Sequence, residues 1–89
     1  MAFEWDDEKA RRNLSKHSVT FNEAASVFGD APRSFEDASH SAQEHRYSVL
    51  GWSSRHRLLM VIMTVRTSNI RIISARKATK AEVKAYGEA

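Results

Sequence analysis

Three arginines in the C-terminal part of the chain have the residue type and spacing to bind phosphate. If Ser68-Asn69 forms a two-residue hairpin turn, Arg66 faces Arg71 across the two strands. Like charges in that position destabilise a sheet, so the pair predicts an anionic ligand between the two side chains. The alternative is that both point into solvent at the hairpin tip. Arg76 follows on the same strand and is predicted to share a face with Ile72.

Two further pairs combine a cation with a group that can transfer a proton. Glu44 and Arg46 are two residues apart, so on a strand they share a face. They form either a surface ion pair or an acid–base carboxylate beside a phosphate-binding cation. Lys16 and His17 end a predicted helix, where the helix dipole favours cations. Capping of the helix is the alternative explanation for that pair.

Metal chemistry and covalent catalysis find little support in the sequence. There is no cysteine, and the serines at 53 and 54 lie in a predicted turn without a strand-to-helix elbow. No two histidines have the spacing that places metal ligands on one helix face. The four are His17, His40, His45 and His56. We therefore expect neither a metal ion nor a cofactor.

Charge is divided unevenly along the chain. Residues 1–44 hold five Lys and Arg against nine Asp and Glu, a net charge of −4. Residues 45–89 hold nine Lys and Arg against two Glu, a net charge of +7. Such an excess attracts phosphate backbones and acidic proteins, although it is also compatible with a solvated basic surface. Geometry has to decide between these interpretations.

The elements that would position these residues begin with two helices. After a short strand at Phe3–Trp5, Asp6 suits an N-cap and the first helix is expected to run to about Lys16. Thr20–Glu23 has the spacing of a capping box and opens a second helix, whose apolar residues recur at helical spacing up to Gly29.

A change to alternating hydrophobicity then predicts strands. The most hydrophobic of them, residues 58–65, is expected to be the central one. Polar or turn-forming residues separate the strands, and one such loop spans Asp37–Gln43. The expected strands are Arg33–Glu36, Tyr47–Trp52, Leu58–Val65 and Ile70–Ala75.

The last segment predicts a short helix that completes an α+β fold. Thr79–Glu82 matches a capping box, and the helix is expected to continue through Tyr86 and end at Gly87. We expect one domain over residues 1–89, with two N-terminal helices, a mainly antiparallel sheet of three to four strands and this helix. The longest apolar run has six residues, against the roughly 20 that span a bilayer. With an acidic N-terminus unlike a signal peptide, this predicts a cytoplasmic protein.

Several segments together resemble one known family. They are Phe3–Asp6, Lys9-Ala10, Asn13, Lys16-His17, Val19–Phe21, Glu23–Ala25, Val27-Phe28, Arg57–Leu59 and Arg71–Arg76. The chain resembles the BrnT family of toxins over nearly its whole length, and the first and last of these segments are the most specific. It departs from the family at Ser18 and His56, where the family often has glycine, and strain is expected at both positions.

The resemblance implies a function and partners. BrnT proteins are the toxins of type II toxin–antitoxin pairs, with a fold like that of RelE-type ribonucleases. This implies cleavage of RNA, inhibition of translation and neutralisation by a cognate BrnA-like antitoxin that carries a ribbon-helix-helix DNA-binding domain. Two toxins are expected on an antitoxin dimer, with operator DNA contacted only through the antitoxin and no contact with a membrane.

Metal-free cleavage of RNA requires cations for the phosphate and groups that transfer protons. The expected phosphate ligands are Arg66 and Arg76, supported by Arg46, because a guanidinium binds two phosphate oxygens at once. The acid–base candidates are Glu44 and His17. RNA-binding roles are expected for Lys16, Arg71, Lys77 and Tyr86. Two alternatives are a non-catalytic basic module that binds nucleic acid or an acidic protein, and a scaffold that only grips an antitoxin.

Overall fold

The computed structural model describes residues 2–29, 32–37 and 45–88. Within these residues, three helices and five strands follow one another in the order β1 (Phe3–Glu4), α1 (Asp7–His17), α2 (Phe21–Ser26), β2 (Arg33–Asp37), β3 (Arg46–Trp52), β4 (Leu58–Arg66), β5 (Asn69–Lys77) and α3 (Lys80–Glu88). A 3-10 turn, Val27–Gly29, extends α2. The expected α+β class is confirmed.

The strands form one mixed sheet in the order β1-β5-β4-β3-β2. The prediction that residues 58–65 form the central strand is confirmed, since β4 lies in the middle. The sheet has five strands in place of the expected three to four, because β1 also joins it, parallel to β5. The other neighbours pair antiparallel.

The hairpin between β4 and β5 has a different register from the expected one. Arg66 pairs with Asn69, and Thr64 pairs with Arg71. The prediction that Arg66 faces Arg71 is therefore wrong. The two-residue turn is Thr67-Ser68, and its first residue has a left-handed backbone with φ of 57°. A β-branched residue is rare in that conformation, so the sequence carried no signal for this turn.

A β-bulge in β5 changes which residues share a face. The pairing with β4 shifts between Ile62 and Met63, and Ile73 is left without a partner. One extra residue reverses the alternation of side chains beyond it. As a result Ile72 lies in the core beneath α1 and α2, whereas Arg76 lies on the opposite face. The prediction that these two residues share a face is wrong.

Helix α1 follows the sequence closely. Asp6 occupies the N-cap position, although its carboxylate accepts no capping hydrogen bond, and the helix ends at His17, one residue beyond Lys16. Ser18 then takes a left-handed conformation with φ of 58°, and His56 has φ of 60°. Ser18 and His56, the two positions where the family often has glycine, therefore have the backbone geometry that favours glycine.

Helix α2 is joined to the β3–β4 turn by a partly buried ion pair. Thr20 Oγ1 accepts a hydrogen bond from the Glu23 N–H at 3.0 Å, which is half of the expected capping box. The Glu23 carboxylate turns inward and accepts hydrogen bonds from Ser53 Oγ at 2.7 Å, from Arg57 Nε at 2.9 Å and from Arg57 Nη2. The hydrogen bond from Arg57 is the main reason why the pKa of Glu23 is lowered. Arg57 also donates to the carbonyl of Ser18 at 3.0 Å.

Helix α1 is fixed to the sheet through one buried amide. Asn13 Nδ2 donates to the carbonyl of Ala75 at 2.8 Å, and Asn13 Oδ1 accepts from the Ala75 N–H at 3.1 Å. The same Nδ2 donates to the carbonyl of Val19 at 3.0 Å. Because β1 pairs with β5 only at Ile70 and Arg71, the Asn13 side chain supplies hydrogen bonds to this edge where β1 no longer runs.

Helix α3 begins with a complete capping box, as predicted. Glu82 Oε1 accepts from the Thr79 N–H at 2.8 Å, and Thr79 Oγ1 accepts from the Glu82 N–H at 3.2 Å. The helix does not end at Gly87 but continues to Glu88. Helix α3 lies beside β3, and Tyr86 packs against the sheet.

Each face of the sheet has its own core. The larger core lies between the sheet and α1 and α2, and contains Val19, Phe21, Ala24, Val27, Val49, Leu59, Val61, Met63, Ile70, Ile72 and Ala75. The smaller core is formed by Leu50, Leu58 and Met60 beneath α3. In the described part of the chain, no helix has the length and apolar character needed to span a membrane.

The Asn13→Ala variant is expected to be destabilised by about 2 kcal/mol, because it leaves the buried N–H and C=O of Ala75 without their partner. Chemical denaturation followed by circular dichroism measures this difference. Ser15→Ala, an exposed change on the same helix, serves as the control. Equal unfolding free energies for the two variants would show that the Asn13 hydrogen bonds do not hold α1 on the sheet.

Candidate functional site

One face of the sheet carries five arginines, and we call it the arginine face. Side chains of directly paired residues project to the same side of a sheet, as do alternate residues along one strand. The pairing therefore places these five side chains on the face opposite α1 and α2. They are Arg33, Arg46, Arg66, Arg71 and Arg76.

The first row across this face lies beneath α3 and has an arginine at each end. Its members are paired in the order Arg33, Leu50, Met60 and Arg76. Arg76 forms a two-pronged ion pair with Glu82, with Nη1–Oε1 at 2.7 Å and Nη2–Oε2 at 2.9 Å. These hydrogen bonds are the largest cause of the fall in the pKa of Glu82 to about 2. The predicted phosphate ligand Arg76 is thus held by a carboxylate of α3.

The second row lies at the other end of the strands, away from α3. Thr64 is its centre, with Arg46 paired on one side and Arg71 on the other. Thr64 is fully buried and its Oγ1 donates to the carbonyl of His45 at 2.6 Å. Arg66 lies two residues further along β4, on the same side. The structure therefore brings three of the predicted RNA-contacting arginines together here.

A carboxylate that sequence reasoning missed lies at the edge of this second row. Glu4 Oε2 accepts from Arg71 Nη1 at 2.8 Å, and Glu4 Oε1 accepts from Asn69 Nδ2 at 3.2 Å. These two hydrogen bonds lower the pKa of Glu4, with a smaller contribution from the charge of Arg66. The sequence signal was weak, because the contact depends on parallel pairing between strands that are far apart in the chain.

Arg46 combines charge with partial burial. Its Nε is buried and has no hydrogen-bond partner among the residues that the structure describes. An unsatisfied buried donor costs free energy, so an acceptor on a ligand would be favoured there. Asp37 of β2 is paired with Arg46 and occupies the next register position of this row, so the row has an acidic residue at each end, Asp37 beside Arg46 and Glu4 beside Arg71.

Lys16 and His17 lie in a basic groove along the edge of β5 beyond Arg71. The groove has a volume of about 280 Å³. Its lining residues are Lys9, Arg12, Asn13, Lys16, His17, Ile73 and Ser74. Ser74 pairs with Ile62 and so belongs to the arginine face. The groove and the arginine face therefore adjoin, and the bonds of Asn13 to Ala75 hold α1 in place beside them.

The remaining predicted site residues have different positions. Glu44, together with the loop residue His40, lies outside the described residues. Lys77 pairs with Leu59, so its side chain projects from β5 on the side opposite the arginine face. Tyr86 lies over the first row, with the Arg33 guanidinium 5.3 Å from its ring centre. Among the described residues, no three His, Asp or Glu side chains come together as metal ligands would.

The charges of the site favour binding of phosphate over proton transfer by its carboxylates. Glu4 and Glu82 both have lowered pKa values because guanidinium groups donate to them. Both are therefore ionised at neutral pH, and neither is suited to protonate a leaving group. The guanidinium groups keep their charge and their planar forks, which match two phosphate oxygens.

Comparison with known families adds to this geometry. Residues 5–82 match the family described as "Ribonuclease toxin, BrnT, of type II toxin-antitoxin system". The chain belongs to the BrnT family. The family resemblance seen in the sequence is therefore confirmed, and an antitoxin partner and an RNA substrate follow from membership of a family of ribonuclease toxins.

A solved structure agrees on the fold. The crystal structure of the Brucella abortus ribonuclease toxin BrnT is similar, with a TM-score of 0.71 and 22% sequence identity. The similarity covers 90% of this chain and 99% of that protein. No curated protein sequence matches this BrnT-family chain. At this level of identity the crystal structure supports the fold, whereas the roles of individual residues rest on the contacts given above.

The Arg76–Glu82 pair predicts a dependence of stability on pH. Because the pKa of Glu82 falls from 4.5 to about 2 on folding, the pair stabilises the fold above pH 4.5 and this contribution is lost as the pH falls toward 2. Between pH 6 and pH 3, the Glu82→Gln variant is expected to lose about 1–2 kcal/mol less unfolding free energy than the parent protein. The difference is no larger because water screens a partly exposed pair. Denaturation at pH 6 and pH 3 measures it.

Glu8→Gln is the matched control for this experiment. Glu8 forms an exposed ion pair with Arg12 on α1, and exposed pairs contribute little to stability. We therefore expect the Glu8 variant to keep the pH dependence of the parent protein. If the Glu82 variant also keeps it, the Arg76–Glu82 pair does not anchor α3.

Proposed function

We propose that this chain cleaves RNA without a metal ion, using the 2′-OH of the substrate as the nucleophile. The 2′ oxygen forms a bond to the adjacent phosphorus as the bond from phosphorus to the 5′ oxygen breaks. A base takes the 2′ proton and an acid protonates the 5′ oxygen. The products are a 2′,3′-cyclic phosphate and a 5′-hydroxyl end. Since the nucleophile belongs to the substrate, the protein needs only cations and proton-transfer groups.

The observation that carries this proposal is the second row of the arginine face. Arg46 and Arg71 flank the buried Thr64, and Arg66 lies on the same side two residues further along β4. A phosphate placed there meets several guanidinium groups on a rigid sheet, which suits the charge that develops on a pentacoordinate phosphorus. Arg46 and Arg66 are the proposed phosphate ligands, with Arg71 oriented by Glu4.

Arg76 has a supporting role in this proposal. It was expected to contact the phosphate, and its guanidinium is bound by Glu82 on both prongs. A phosphate at Arg76 would have to compete with that carboxylate. Arg76 therefore contributes positive charge to the face and holds α3 over the first row.

Proton transfer is assigned to His17, with Glu44 as the other candidate. His17 lines the basic groove next to Ser74 of the arginine face, and an imidazole can both accept and donate a proton. Lys16 and Lys9, in the same groove, would guide the RNA backbone along this edge.

The biological setting follows the family. We propose that RNA cleavage by this chain inhibits translation and that a BrnA-like antitoxin neutralises it by covering the arginine face. An assembly of two toxins on an antitoxin dimer, with operator DNA bound by the antitoxin, is part of the same proposal. The positive charge of the arginine face supports a partner whose contacting segment is acidic.

Cleavage is expected to persist in EDTA and to leave 2′,3′-cyclic phosphate or 3′-phosphate ends. Incubation of the purified chain with end-labelled RNA, followed by identification of the product ends, tests this. A metal-dependent nuclease in the same buffer verifies that the chelation is complete. Loss of cleavage in EDTA that a divalent ion restores would falsify the mechanism. Binding of RNA without cleavage would support the non-catalytic module.

Arg66→Ala is expected to reduce RNA cleavage at least about tenfold, or roughly 1.4 kcal/mol of transition-state stabilisation. Arg66→Lys should recover part of the rate, because it keeps the charge and loses the fork. Arg55→Ala, which removes an exposed arginine from the β3–β4 turn, is the matched control and should cleave like the parent. A normal rate for Arg66→Ala with an unchanged melting temperature would place the phosphate elsewhere.

A further inference from the structure

A cavity between α3 and the arginine face is separate from the proposed phosphate site. Its volume is about 390 Å³, at the small end of the roughly 300–1,000 Å³ of ligand pockets. Its lining residues are Arg33, Ser34, Leu50, Met60, Glu82, Ala85 and Tyr86. The cavity thus opens at the first row, which lies four residues along β3 and β4 from the row of Thr64, a distance of about 13 Å.

The lining of this cavity suits a flat ring. Leu50 and Met60 form an apolar floor and are 2% and 9% exposed. Tyr86 supplies an aromatic wall, and the Arg33 guanidinium lies 5.3 Å from the centre of that ring. Aromatic rings and guanidinium planes are the surfaces on which the bases of single-stranded RNA stack.

The polar groups of the cavity favour a neutral ligand that accepts hydrogen bonds. Arg33 lines the cavity and brings guanidinium donors to it, and its buried Nε has no hydrogen-bond partner among the residues that the structure describes. Glu82 places a carboxylate in the same lining, and that carboxylate is bound to Arg76. This negative charge would repel a phosphate more strongly than an uncharged ring.

We propose that this cavity binds one nucleobase of the RNA substrate, that the base stacks on Tyr86, and that Arg33 donates to the base edge. Guanine fits best, because its O6 and N7 are neighbouring acceptors that an arginine contacts with two donors. The proposal rests on the proposed ribonuclease function. It makes Arg33 and Tyr86 determinants of sequence preference a few nucleotides from the cleaved phosphate.

The test is the sequence preference of cleavage in EDTA, mapped on a pool of RNAs with random sequence. The parent chain is expected to cut with guanine enriched at one fixed distance from the cleaved bond. Arg33→Ala and Tyr86→Leu should each reduce that enrichment at least about fivefold. Arg55→Ala should keep it, and so should Tyr86→Phe, which retains the ring. Because Tyr86 packs against the smaller core, each variant is assayed below its own melting transition.

A substrate change isolates the Arg33 contact. Replacing the enriched guanine by 7-deazaguanine removes N7 and should slow the parent at least about fivefold, while Arg33→Ala should cut both RNAs equally. If the bases around the cleaved bond are enriched to the same degree for the parent, Arg33→Ala and Tyr86→Leu, the cavity does not bind a base. The ribonuclease function then still stands. If the parent cuts no RNA, the proposed function falls and the base pocket with it.

Discussion

A single extra residue in β5 determines which arginines can act together. Arg71 and Arg76 are five positions apart, so in a regular strand their side chains would project to opposite faces. The unpaired Ile73 reverses the alternation between them. Both arginines therefore join Arg46 and Arg66 on one face, while Ile72 and Ala75 both remain in the larger core. Without this bulge, either the core would lose an apolar residue or the arginine face would lose a cation.

Helix α1 holds the strand next to the bulge. The edge of β5 beyond Arg71 has no strand beside it among the described residues, and a free edge exposes unpaired backbone groups. Asn13 binds both backbone groups of Ala75, two residues after the bulge. The same contact fixes the last turn of α1, which carries Lys16 and His17, next to Ser74 of the arginine face. One buried amide therefore supports both the sheet edge and the basic groove.

The sequence predicted the structure correctly where a local pattern of residues usually forms the same structure. The capping box at Thr79 and the apolar run of β4 are such patterns, and each formed at the expected position. At Thr20 only the hydrogen bond to Oγ1 formed. The register of the β4–β5 hairpin could not be predicted in this way. Its turn places a threonine at positive φ, which is uncommon, and the neighbouring Ser68-Asn69 has the residue types that turns prefer.

The partners of the charged residues were also beyond local patterns. Glu82 has the spacing of a capping residue, and the structure shows it capping α3 and binding Arg76 at once. Glu23 was expected to close a capping box and instead binds Arg57. These contacts depend on how helices pack on the sheet, so only the three-dimensional arrangement reveals that several charges are held in partly buried ion pairs.

The uneven distribution of charge along the chain therefore has a structural role as well as a functional one. Acidic residues of the N-terminal half pair with basic residues of the C-terminal half, as in Glu4–Arg71 and Glu23–Arg57. Five arginines on one face would repel one another, and Glu4 and Glu82 reduce this repulsion at opposite ends of the face. A net positive charge remains between them. The face can thus be stable without a ligand and still attract an anion, because Glu4 and Glu82 neutralise only part of its positive charge.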